Sequence, residues 1–238
     1  ERFRHKAEGV YQPFPRDTFE KYGVKRGLRN NDGTGVIAGL TSIGDVVGYQ
    51  MVNGEKKPIE GHLRYRGYDI TDLVHNAEKQ NRFGFEEVVY LLLFGNLPTE
   101  KELYDFTRLI GNMRALPPGF TEDMILKAPS KNIMNKMARC VLSSYSYDEN
   151  PDEVSVGNML RQSIELIARM PVMAVYGYQA KNHYHDGNSL FLHVPQTRLS
   201  TAENFLYMLR RDNDYTREEA EILDVLLMIH AEHGGGNN

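Results

Sequence analysis

The stretch FEEVVYLLLFGNLPTEKEL, residues 85–103, carries the body, the stop and the restart of a helix. Phe85 to Phe94 hold neither glycine nor proline, and Gly95 with Pro98 close behind ends the run. A glycine adopts the left-handed conformation that closes a helix, and a proline has no N–H with which to continue one. Thr99 and Glu102 then form a capping box, in which hydroxyl and carboxylate each satisfy a backbone N–H orphaned in the first turn of the next helix. The same signal recurs at Ser200 with Glu203 and at Thr216 with Glu219. Working outward, Thr71 is expected to cap a helix running to about Gln80. Further helices are expected over roughly 131–146, 153–178, 201–211 and 217–233. Between about Thr41 and Tyr68 lies Asn53-Gly54, the dipeptide that suits a type I′ hairpin because both central positions need positive φ. The expected class is mainly α, a multihelical domain with a small β element near the N-terminus.

The helix over 153–178 contains Pro171, in LIARMPVMAVYGYQ, so a kink or a break is expected there. Met170, Val172, Met173, Val175 and Tyr176 leave it no polar face, which places it either in a core or in a subunit interface. The ten methionines read as adaptable core filler.

With 238 residues and 41% apolar composition the chain can bury a sizeable core. Lys plus Arg number 28 against 32 Asp plus Glu, and a net charge of -4 argues against nucleic acid or an anionic membrane as partner. Cys140 is the lone cysteine, which excludes an internal disulfide and a thiolate cluster, and suits a reducing compartment. The first residues lack the apolar core of a signal peptide, and no run reaches the roughly 18 apolar residues of a membrane span. A soluble, cytoplasmic protein is expected. A chain beginning at Glu1 suggests that residues are missing at the front.

The last ten residues, IHAEHGGGNN from Ile229 to Asn238, pose the functional question. Ile222, Leu223, Leu226, Leu227 and Ile229 recur at spacings of three and four, and His230 and His233 fall on the continuation of that stripe. Histidines there are expected out of bulk water in the last helical turn, where the helix dipole favours imidazolium and a bound carboxylate would be met by hydrogen-bond donors. Gly234 to Gly236 would let a ligand approach the main chain, and Asn237 adds an amide donor. The competing reading is two satisfied core histidines, a glycine cap and a tail, and spacing alone does not separate the two. A metal centre is disfavoured, because helical zinc pairs use a spacing of four with a glutamate between and no third ligand is evident. The paired Glu-x-x-His motifs of a di-metal bundle are absent.

HAEHGGGNN resembles the start of the citrate synthase signature. HLRYRGYDITDL, FEEVVYLLLFGNLPTEKEL, LIARMPVMAVYGYQ and LSTAENFLYMLR resemble further segments of that family, in family order over roughly residues 35–238. The resemblance implies a nearly all-helical homodimer with a large and a small domain that condenses oxaloacetate with acetyl-CoA and water, using acetyl-CoA as a substrate and no cofactor. By the same resemblance His233 and Asn237 bind oxaloacetate and His230 is supporting structure. The enol-supporting histidine, the histidine that polarises the keto group, the aspartate base and the anion-binding arginines match no residue here and are expected beyond Asn238. Residues 1–238 are then the N-terminal part of the large domain, without the small domain, and inactive alone. Two alternatives stand beside this: a 2-methylcitrate synthase acting on propionyl-CoA, and a non-catalytic helical module that dimerises through the Pro171 helix.

Overall fold

The computed structural model describes residues 41–232 and, ahead of them, 15–21, 23, 27 and 29. Contacts divide the chain into a unit of residues 42–233 and another of 1–41 with 234–238. In the second unit the described helix is α1, Arg16–Lys21. All other elements belong to the first.

Strands β1, Gly44–Val52, and β2, Glu55–Tyr65, form the expected hairpin. Val52 faces Glu55 across Asn53 and Gly54, whose φ values of 54° and 83° are those of a type I′ turn. The register shifts between Val47 and Tyr49, next to which Pro58, with no N–H to give the ladder, is accommodated. A second tight turn at Arg66-Gly67, with φ of 50° and 89°, adds the two-residue strand β3, Tyr68–Asp69. The ribbon is mostly solvent-facing. Its one fully buried side chain is Tyr65, at the end of β2.

Seven more helices follow: α2, Ile70–Lys79; α3, Phe85–Phe94; α4, Glu100–Asn112; α5, Ile133–Ser144; α6, Val156–Tyr184; α7, Thr201–Leu209; and α8, Arg217–Ile229. All three capping boxes form as the sequence indicates, at Thr99, Ser200 and Thr216. Gly95 closes α3 in the left-handed conformation, its N–H donating to the Leu91 carbonyl at 2.8 Å. The cap of α2 lies two residues before Thr71: Asp69 Oδ1 accepts the Thr71 N–H at 2.9 Å. A π-helical turn over Thr121–Leu126 carries no sequence signal of its own.

Of the kink or break expected at Pro171 the break is absent, and the expected ends of two helices are corrected. Helix α6 runs unbroken through Pro171 and six residues past 178, to Tyr184. Pro171 removes one donor, but Val172, Met173, Val175 and Tyr176 are buried against the rest of the chain, and that packing offsets one missing bond. Those four side chains belong to a core, whereas Met170 is exposed. The methionines divide similarly: Met173, Met208 and Met228 are core, while Met51, Met134 and Met159 face outward. Helix α8 stops at Ile229 rather than 233, and His230 is its C-cap.

The core is three clusters. One joins α5, α6, α7 and the π-turn around Phe120 and Met173; one joins α3, α4 and α6 around Phe106 and Ile110; the third gathers Tyr65, Leu73, Val88, Leu91 and Met228 from β2, α2, α3 and α8. The third cluster positions the end of α8. Among the described residues, no helix is long and apolar enough to cross a membrane.

Candidate functional site at the end of the last helix

Helix α8 turns inward the face of Ala220, Asp224 and Met228, with Leu223 and Leu227 partly buried beside it. Ile222, Leu226 and Ile229, expected on the buried stripe, are exposed by 64%, 48% and 41%. The reason is Asp224. Its carboxylate accepts the N–H of Gly84 at 2.7 Å and of Phe85 at 3.2 Å, capping α3, whose own N-cap residue is a glycine with no side chain to do so. A polar residue that must point inward to serve a neighbouring helix rotates the apolar stripe away from the core. Burial pushes the Asp224 carboxyl up to about 6, aided by the nearby charge of Glu86 and opposed by the two N–H donors and by Arg82. The contact is close, since a Cβ on Gly84 would collide with the Met228 thioether.

Glu86, also buried, serves helix α7 in the same way. Its Oε1 accepts the Thr201 N–H at 2.7 Å and the Thr201 hydroxyl at 2.8 Å. Arg114, buried with its Nη1 donating to the Gln196 carbonyl at 2.5 Å, supplies positive charge near Glu86 and Glu203. Helices α3, α7 and α8 are thus tied end to side by buried carboxylates.

The C-terminal end of α8 is held by the YRGY segment. The Tyr65 hydroxyl lies 2.8 Å from the Met228 carbonyl oxygen, 3.0 Å from that of Ile229 and 3.1 Å from that of Glu232, and it accepts the Glu232 N–H at 3.3 Å. One hydroxyl proton is shared among carbonyls at and just beyond the helix end, of which that of Met228 also accepts the Ala231 N–H at 3.4 Å. Burial raises the Tyr65 phenol above its ordinary value, so the proton stays in place for this task. The next residue, Arg66, donates from Nη2 to the Leu92 carbonyl at 2.8 Å and from Nε at 3.3 Å, serving the end of α3. Consecutive residues of one turn therefore anchor the ends of two helices.

His230 is exposed, not withdrawn from water as expected, because the helix ends one residue before it; its Nδ1 lies 2.8 Å from the Leu226 carbonyl oxygen. His233, Gly234 to Gly236 and Asn237 lie outside the described residues, which reach Glu232. Two clefts of about 610 and 630 Å3 flank α8 and α6, and neither is lined by residues 229–232. Among the described residues, no group of three His, Cys, Asp or Glu side chains stands together as a metal site. Sequence reading missed Tyr65 and Asp224 as the pieces that hold this helix. The signal for Asp224 was a lone acid in the otherwise apolar run Ile222 to Ile229; for Tyr65 it was an aromatic at the end of a strand otherwise made for solvent.

The profile of the family described as "Citrate synthase, C-terminal domain" matches residues 29–238. A citrate synthase of Corynebacterium glutamicum is 35% identical over 184 residues, covering 73% of this chain and 38% of its own length. The same organism's 2-methylcitrate synthase 1 is 27% identical over 215 residues, covering 88% of this chain and 49% of its own. The solved citrate synthase of Pyrobaculum aerophilum superposes with a TM-score of 0.67 at 27% identity, over 84% of this chain and 46% of that one. The chain spans less than half the length of each of these relatives. Matched by one family profile from residue 29 onward and folded as a solved member folds over the shared part, the chain belongs to the citrate synthase family.

Proposed function

We propose that the protein containing this chain is a citrate synthase, condensing oxaloacetate with acetyl-CoA and water to give citrate and CoA. The observation that carries this reading is the family match extending through residue 238, and so over the HAEHGGGNN segment. These 238 residues then form the N-terminal part of the large domain. His233 donates to oxaloacetate with Asn237 beside it, and His230 steadies the helix end. A carboxylate base takes a methyl proton from acetyl-CoA and a histidine supports the resulting enol. The enol carbon attacks the keto carbon of oxaloacetate, and water hydrolyses the citryl thioester to release CoA. No electrons are exchanged, and the reaction needs no cofactor. The base, that histidine and the anion-binding arginines belong to sequence outside these 238 residues, a reading supported by the relatives' greater length. The chain alone is therefore inactive.

A homodimer belongs to the same proposal. It is supported by large apolar side chains left exposed on α5 and α6, among them Met134 at 77%, Leu142 at 76% and Met159 at 53%. Cytoplasmic placement is supported by the lone, buried Cys140. The relative named 2-methylcitrate synthase supports a second reading, in which propionyl-CoA is the preferred thioester. A helical module that only dimerises is the third.

Thiol release from acetyl-CoA and from propionyl-CoA, each with oxaloacetate, separates the three. The full-length protein is expected to release CoA with a higher kcat/KM for acetyl-CoA, and the 238-residue chain to release none. A preference for propionyl-CoA transfers the assignment to the second reading, and silence with both transfers it to the third.

A further inference from the structure

We propose that Tyr65 is a positioning residue for the substrate grip: its hydroxyl fixes the backbone step that leads into His233, and oxaloacetate affinity depends on that restraint. The inference rests on the reading of His233 as an oxaloacetate ligand and adds to it the part of the fold that sets where this ligand begins.

Helix α8 closes on His230 at φ -96° and ψ 5°, with no left-handed residue to fold the chain back onto the last carbonyls. The His230 and Ala231 N–H groups reach back to the Met228 carbonyl, the latter at a long 3.4 Å, which leaves room for a stronger donor from elsewhere. The Tyr65 hydroxyl provides it, touching the carbonyl oxygens of Met228 and Ile229 inside the last turn and the carbonyl oxygen and N–H of Glu232 beyond it. The clamp therefore spans the helix end and reaches the residue immediately before His233. Tyr65 is itself immobilised. It is 0% exposed, packed among Leu73, Val88, Leu91 and Met228, and followed by Arg66, whose guanidinium is fixed to the Leu92 carbonyl. After His233 come three glycines, which permit backbone conformations closed to other residues. A full aromatic hydroxyl buried at that spot exceeds what packing requires, because phenylalanine would fill the same volume with no polar atom to satisfy.

The test uses the full-length enzyme and the variant Tyr65→Phe, which keeps the ring and removes the clamp. Loss of an interaction that serves substrate and transition state alike raises KM and leaves kcat in place. The expected result is a KM for oxaloacetate about tenfold higher, with kcat and the KM for acetyl-CoA within about twofold of wild type. Tyr68→Phe, which removes a hydroxyl from an exposed ring three residues on, should leave all three unchanged. An unchanged oxaloacetate KM in folded Tyr65→Phe, or a fall in kcat alone, overturns the proposal. His233→Ala in parallel separates two failures. If His233→Ala weakens oxaloacetate and Tyr65→Phe does not, the positioning role is wrong; if His233→Ala has no effect, the ligand assignment is wrong. A second measurement needs no variant: coupling is reciprocal, so saturating oxaloacetate should slow hydrogen exchange at the Glu232 amide of the wild-type enzyme. Exchange there that is indifferent to oxaloacetate contradicts the coupling.

Discussion

Asp224 is buried with both carboxylate oxygens engaged by the first N–H groups of α3. Its carboxyl, raised from 3.8 to about 6, binds a proton more tightly in the folded chain than in the unfolded one. The stability it contributes is therefore fully present below about pH 4 and is lost as pH rises through about 6, by at most about 3 kcal/mol for a shift near two units. Carboxylates held below their ordinary values, such as Asp148 by the Asn150 N–H and Gln162 and Glu219 by Arg210, act in the opposite direction, so the measurement must be a difference. Urea unfolding of wild type and Asp224→Asn between pH 4 and pH 7 is expected to show a wild-type advantage that shrinks as pH rises; a gap independent of pH would refute it. Asp224 and Tyr65 were hidden from sequence reading for one reason. Each serves a backbone group more than a hundred residues away, and no local pattern encodes a partner at that distance. Glu102 and Glu203, whose partners lie three residues off, were fully legible.

Elements whose signals are local were read closely. The hairpin turn at Asn53-Gly54, the stop at Gly95 and the three capping boxes each complete their hydrogen bonds within a few residues, and all stand where the sequence puts them. Helix α6 does not break at Pro171 because the cost of the proline is local, while the burial that outweighs it comes from α5, α7 and the π-turn. The buried face of α8 was misjudged because hydrophobic spacing counts Asp224 as outward-facing, when capping requires it inward. A similar long-range demand fixes Gly111 near the end of α4, where a Cβ would run into the Thr197 backbone carbonyl. A backbone atom yields less readily than a side-chain tip, so Gly111→Ala is expected to destabilise by about 3 kcal/mol. Chemical denaturation checks this, and a midpoint equal to wild type would mean that the 195–199 loop moves aside freely.

At the largest scale, the three clusters and the carboxylate ties among α3, α7 and α8 form one frame within residues 42–233, with the YRGY turn as the piece that grips the end of α8. The class, the order of elements and the family were legible in the sequence, since five motifs in order carry more information than any one spacing. The end of α8 was not, because helix periodicity alone continues it past Ile229, whereas the chain leaves the helix there under the hold of Tyr65. In the proposed mechanism His233 grips oxaloacetate in the full-length enzyme. Calorimetric titration of oxaloacetate into wild type and His233→Ala tests it most directly. The account predicts affinity about 100-fold weaker in the variant, the order expected when one member of a charged, hydrogen-bonded contact is removed. Equal affinity in a folded His233→Ala would contradict it.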